Sequence, residues 1–144
     1  MGLVPGHQIL FSVTKGGGTT VAQALFLEMF LSAQLMITVF LLAAEKHEAN
    51  YVAPIGVGLS LFVGHLAGIY FSGAGINPAR VFGPNVVGAT FPHYHWIYWV
   101  GPFLGSLVAS GVYVILRHTS GWEVNKVQQA PQDAEAGDVE IHGK

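Results

Sequence analysis

Apolar residues gather in three long runs, separated by connections of very different length. The first run extends from about Thr20 to Ala44 and carries one charge, Glu28. The second, about Val52 to Ser72, has no formal charge and a single histidine, His65. The third, about Trp96 to Leu116, is uncharged and ends at Arg117-His118. A helix needs about 20 residues to cross a hydrocarbon core, so each run predicts a transmembrane helix. Glu45–Tyr51 (EKHEANY) is a short polar turn, which makes the first two spans antiparallel neighbours. Gly73–His95 is much longer, too apolar for an aqueous loop, and holds no run that could cross. It predicts a re-entrant segment that enters the membrane and leaves on the same side.

Composition strengthens this picture. Only 10% of the 144 residues are charged against 51% apolar, and the mean hydropathy is +0.49. So few charges cannot cover a water-facing surface. A net charge of −2 offers no electrostatic footprint for nucleic acid, and the lack of cysteine excludes disulfides, cysteine-based zinc sites and thiol catalysis. No run sits at the N-terminus behind a basic stretch as a signal peptide would, and Gly6 stands where a myristoylation signal needs Ser or Thr. Beyond Thr119 the chain turns to Gln, Pro, Gly and acids, and reads as a disordered tail. Lys46, Arg117 and Lys126 fall on one side of the spans and Lys15 on the other, so the tail is expected in the cytoplasm. This divides the chain into an extracellular stretch (1–19), a membrane domain (20–118) and a cytoplasmic tail (119–144).

Small residues recur every four positions on two spans: Gly56, Ser60, Gly64 and Gly68, then Gly101, Gly105 and Ala109. Residues at i and i+4 share a helix face, so each span carries a groove in which another backbone can approach closely. The groove serves either a tight bundle around a pore or the packing of any membrane bundle.

The chemistry is concentrated in Gly73-Ala74-Gly75-Ile76-Asn77-Pro78-Ala79-Arg80. Asn is a favoured N-cap and Pro a favoured first helical residue, so Asn77-Pro78 starts a helix. Gly83-Pro84 either bends that helix or ends it. If it reaches Val87 it is about 16 Å long at 1.5 Å per residue, roughly half the hydrocarbon thickness. Its positive N-terminal end then lies near the midplane. The preceding glycines permit a non-helical backbone, tolerated at membrane depth only where buried or lining a wet cavity, whose carbonyls would accept from water. Arg80, one turn in, is too costly to face lipid and belongs on a hydrated lumen.

With Gly64-His65-Leu66-Ala67-Gly68 upstream and Trp96-Ile97-Tyr98-Trp99-Val100-Gly101-Pro102-Phe103 downstream, residues 18–118 resemble the second repeat of an aquaporin. The Gly-rich lead-in and the EKHEAN turn look most like the fungal branch. The resemblance implies an all-α membrane protein of three transmembrane helices plus one re-entrant half-helix. It implies that Asn77 donates to passing water, that Arg80 and His65 form a narrow outer constriction, and that Glu28 hydrogen-bonds the re-entrant backbone. Ala74 stands where some relatives carry a mercury-sensitive cysteine. Val81 in place of Asp, Tyr98-Trp99 in place of Pro and an aliphatic residue, and His65 in place of a small residue all favour water over glycerol. Val81 and Asn85 depart from the small residues usual in water channels. His93 and His95 read as interfacial residues at a span entrance, with an HxH metal site the weaker alternative. No nucleophile, phosphate loop, metal or cofactor site is expected, and no catalysis.

Aquaporins are built from inverted repeats, and this chain matches one. Three readings follow: half of a water channel completed by a first repeat and then a homotetramer; a non-conducting chain that associates with full-length aquaporin subunits; and a dual-topology homodimer, against which the Lys/Arg bias argues. A glycerol or small-solute facilitator is the alternative on selectivity. The lipid bilayer is a partner in each, and water is the permeant in the two that conduct.

Overall fold

A computed structural model describes residues 15, 16, 18–44 and 51–121. The polar turn at 45–50, most of the N-terminal stretch and the tail beyond Gly121 lie outside the described residues, as do the expectations placed on them. The chain divides into two compact units, 1–110 and 111–144, and every site residue belongs to the first.

Among the described residues the fold is all-helical. α1 (Val21–Val39) starts at a capping box: the Gln23 N–H donates to Thr20 Oγ1 at 3.2 Å, and the Gln23 side chain accepts from the Thr20 N–H at 3.0 Å. A π-helical turn, Phe40–Ala44, extends it. α2 (Ala53–Gly68) begins with Pro54 in its first turn, and α3 (Pro78–Val87) begins behind Asn77. α4 (Ile97–Leu116) passes through Pro102, and helical geometry continues in a π-turn, Arg117–Gly121, past the expected start of the tail.

Among the described residues two segments are long and apolar enough to cross a bilayer: Val21–Ala43, of mean hydropathy 2.1, and Ile97–Thr119, of mean hydropathy 1.7. In each, only 22% of the most apolar window is buried within the protein. A soluble core helix hides such a surface; here Phe26, Phe30, Phe103, Leu107 and many others are exposed, as a lipid solvent requires.

The second run departs from expectation. It is helical for 16 residues, about 24 Å, and ends at Gly68 instead of Ser72. Residues 69–72 fold into tight turns, with Phe71 and Ser72 N–H both donating to Gly68 O at 3.0 Å. Their apolar character is that of a span, but their backbone already turns toward the re-entrant loop.

Both small-residue ladders are packing surfaces on α1. A Cβ on Gly101 would lie 2.8 Å from Glu28 Cβ, and one on Gly105 would collide with the α1 backbone at Met29 and Ala33. On α2, Gly68 and Gly64 meet Leu31, and Gly56 meets Leu42. Between them Ser60 is tied by Gln34 Nε2, which donates to its carbonyl at 3.1 Å, and by Thr38 Oγ1 at 3.0 Å. α1 is thus the strut against which α2, the loop and α4 all rest.

Candidate functional site

The segment from Gly73 to Asn77 has no regular structure, and three of its residues have left-handed backbone: Gly73 (φ 83°), Ala74 (φ 47°) and Ile76 (φ 57°). For a β-branched residue such as Ile76 this conformation costs on the order of 1–3 kcal/mol and persists only when its surroundings over-determine it. Glu28, fully buried on α1, supplies that constraint. Its Oε1 accepts from the Ser72 hydroxyl at 2.6 Å and the Gly75 N–H at 2.9 Å, and its Oε2 accepts from the Ile76 N–H at 2.7 Å. A carboxylate with three donors on two oxygens meets the demand that a charge at membrane depth be fully solvated by protein.

Three further groups complete the cradle, and sequence reasoning missed them in this role. The Ser72 hydroxyl accepts from the Ala74 N–H at 3.2 Å, the Tyr98 hydroxyl donates to Ser72 O at 2.7 Å, and the Ser32 hydroxyl donates to Ile76 O at 3.2 Å. All three residues are buried. The available signal was a hydroxyl on an otherwise apolar run, which must find a partner. Gly75 is required by proximity: a Cβ there would lie 2.7 Å from the Tyr98 ring and 2.8 Å from Val81 Cγ2.

On the opposite side of the same segment the side chains are open. Asn77 caps α3, its Oδ1 accepting from the Ala79 N–H at 2.9 Å, which leaves its Nδ2–H2 as the donor it presents. Asn77, Ala79 and Arg80 are exposed. Arg80 folds back over the loop, donating from Nη1 to Ala74 O at 2.7 Å and, more weakly, to Gly75 O at 3.4 Å. The same nitrogen meets His65 Nε2, while His65 Nδ1 lies 2.8 Å from Leu61 O. A guanidinium only donates and a carbonyl only accepts, so His65 carries its proton on Nδ1 and accepts at Nε2. The expected row of free carbonyls is therefore partly engaged: Ala74 O by Arg80, Gly75 O by the Asn77 N–H at 2.5 Å, and Ile76 O by Ser32. Ala74 O and Ile76 O each keep a second lone pair, whereas Gly75 O accepts from both the Asn77 N–H and, weakly, Arg80.

Glu28 and the segment from Gly73 through Pro78 and Ala79 to Arg80 thus assemble into one unit, with His65 of α2 alongside. An apolar groove of about 560 Å³ opens beside it, lined by Asn77 and Pro78 with Ser32, Met36, Trp99 and Phe103. Val81 and Asn85 are fully buried against the protein. Their departure from small residues is a matter of packing, Val81 lying in a cluster with Ala24, Ile97 and Tyr98. Among the described residues no cluster of potential metal ligands occurs, His93 and His95 included.

A family model described as Major intrinsic protein matches residues 3–113. The chain belongs to the major intrinsic protein family. It is 51% identical over 96% of its length to "Aquaporin-7" and 53% identical over 81% to "Aquaporin-8", both of Botryotinia fuckeliana (strain B05.10). It is also 51% identical over 77% to "Aquaporin-1" of Laccaria bicolor. These matches cover 30% to 36% of the relatives, so the chain spans about a third of their length. All three relatives are fungal, as the lead-in and the EKHEAN turn suggested. Membership makes the chain an integral membrane protein of a channel family and not an enzyme.

Proposed function

We propose that the chain is one half of a water channel, its open face forming half of the lumen once a first repeat completes it. The observation that carries this reading is Arg80 beside His65 on the exposed side of a loop whose other side is locked to Glu28. The guanidinium and the positive N-terminal end of α3 repel cations, while Asn77 Nδ2–H2 and the loop carbonyls' remaining lone pairs offer water a donor and acceptors. His65 fills the space beside Arg80 that a larger polyol would need, which favours water over glycerol. In this reading α2 completes a third crossing together with residues 69–72, the C-terminus is cytoplasmic, and the completed channel is a tetramer.

Selectivity tests the assignment. In a conducting assembly, His65→Ala should raise glycerol permeability relative to water, and Arg80→Val should admit protons or cations. Unchanged ratios in both variants would remove these residues from the constriction. The relatives' names support a water channel, and a facilitator of larger solutes is the outcome in which the wild type passes glycerol as readily as water.

A further inference from the structure

Three of the described residues are Lys or Arg. Lys15 lies over Thr19 O at 2.8 Å and Arg80 over Ala74 O at 2.7 Å, both within the first compact unit. Arg117 belongs to the second unit and borders a cavity. Together with Tyr113, Val114 and His118 it lines a space of about 560 Å³ at the C-terminal end of α4.

These four positions are i, i+1, i+4 and i+5, which form one patch on the surface of a helix. The π-turn Arg117–Gly121, whose hydrogen bonds run to the fifth residue, widens the backbone at Arg117 and His118. Length sets the depth of the patch in the membrane. The 20 residues of α4 rise about 30 Å, one hydrocarbon thickness, so Arg117 and His118 stand where acyl chains give way to headgroups. Val114, Ile115 and Leu116, just before them, are exposed, as contact with acyl chains requires.

The polar lining is that of an anion site. Arginine presents five N–H donors in a planar fork, the Tyr113 hydroxyl can donate, and His118 carries a ring N–H. The fork matches two oxygens of a phosphate at once. No acid occurs between Gly111 and Gly121 to compete for these donors. The full charge of the guanidinium exceeds the partial negative charge at a helix C-terminus, about half an elementary charge. A headgroup with its own cation beside the phosphate, such as choline, would set that cation against Arg117.

We propose that Tyr113, Arg117 and His118 bind the phosphate of an anionic phospholipid, with Val114 beside the start of its acyl chains. The exposed apolar residues next to the cavity favour a lipid over a soluble phosphate, which would gain nothing from them. The site lies apart from the Glu28 cradle and the Arg80 face, and it stands whether or not the chain conducts.

Native mass spectrometry of the full chain in detergent tests the site by counting bound lipid. One copy of dioleoylphosphatidylglycerol should bind at least about tenfold more tightly than dioleoylphosphatidylcholine, the scale of one charge-assisted hydrogen bond. Arg117→Gln should abolish this preference, and the exposure of Arg117 makes the replacement a test of binding and not of packing. Tyr113→Phe should weaken phosphatidylglycerol binding severalfold. Lys15→Gln, which removes the same charge elsewhere, should leave it unchanged, and excess inorganic phosphate should not displace the lipid. Equal binding of the two lipids, or a preference that survives Arg117→Gln, would overturn the proposal. So would a preference lost as fully in Lys15→Gln, which would show attraction to net charge alone. Displacement by inorganic phosphate would overturn it in favour of a soluble phosphate.

Discussion

The two sides of the 73–80 segment are built on opposite principles. The side toward α1 and α4 is dry and saturated: Glu28, Ser72, Ser32 and Tyr98 are buried, and each has its partner. The other side presents Asn77 and Arg80 in the open. The contrast separates two kinds of polarity within a stretch of eight residues. Groups that hold a strained backbone satisfy one another completely, whereas the groups on the open side keep donors to spare. In the proposed reading the first side carries stability and the second selectivity, and substitutions on each should behave accordingly.

The largest effect is expected from Glu28→Leu. It leaves three buried donors without an acceptor, at roughly 1–3 kcal/mol each, and removes what holds Ile76 in its left-handed conformation. Thermal unfolding in detergent should show a fold that is severely destabilised or lost, and a variant as stable as the wild type would break the contrast at its root. Next comes Gly105→Leu, whose side chain has no space against the α1 backbone. Overpacking of this kind costs about 1–3 kcal/mol or more, read as a lowered midpoint in the same assay. Tyr98→Phe loses one hydrogen bond to Ser72 O and should cost about 1 kcal/mol. Arg80→Val should be the mildest, below about 1 kcal/mol, because its bonds to Ala74 O and His65 lie on the exposed face, where water replaces the lost donor. A large loss there would mean that Arg80 holds the loop as firmly as Glu28 does, and the two sides would no longer differ in kind.

Much of this was legible from residue type and spacing. Apolar runs located α1 and α4 to within a few residues, the small-residue ladders marked the faces that meet α1, and Asn77-Pro78 marked the start of α3. What stayed hidden was backbone geometry without a sequence signature. Residues 69–72 are as apolar as the helix before them, so hydropathy could not see α2 end at Gly68. Positive φ at Ile76 is held by Glu28 from 48 positions away and that at Ala74 goes with the Ser72 hydroxyl on its N–H, and neither residue type announces it. The sequence points to Gly75 through the freedom of its backbone, whereas the structure shows a need for space beside Tyr98 and Val81. Asn85 and His95 were read one at a time, and only the fold brings them together.

The central claim is that the open face is half of a lumen. Osmotic swelling of vesicles tests it most directly, comparing the chain alone, a first-repeat polypeptide alone, and the two reconstituted together. Water permeability should stay at the lipid background for either half and rise well above it only for the pair. Permeability from the chain alone would replace the missing half with a second copy of this chain. A pair no more permeable than bare lipid would contradict the channel reading and leave a protein whose exposed face serves association with other subunits.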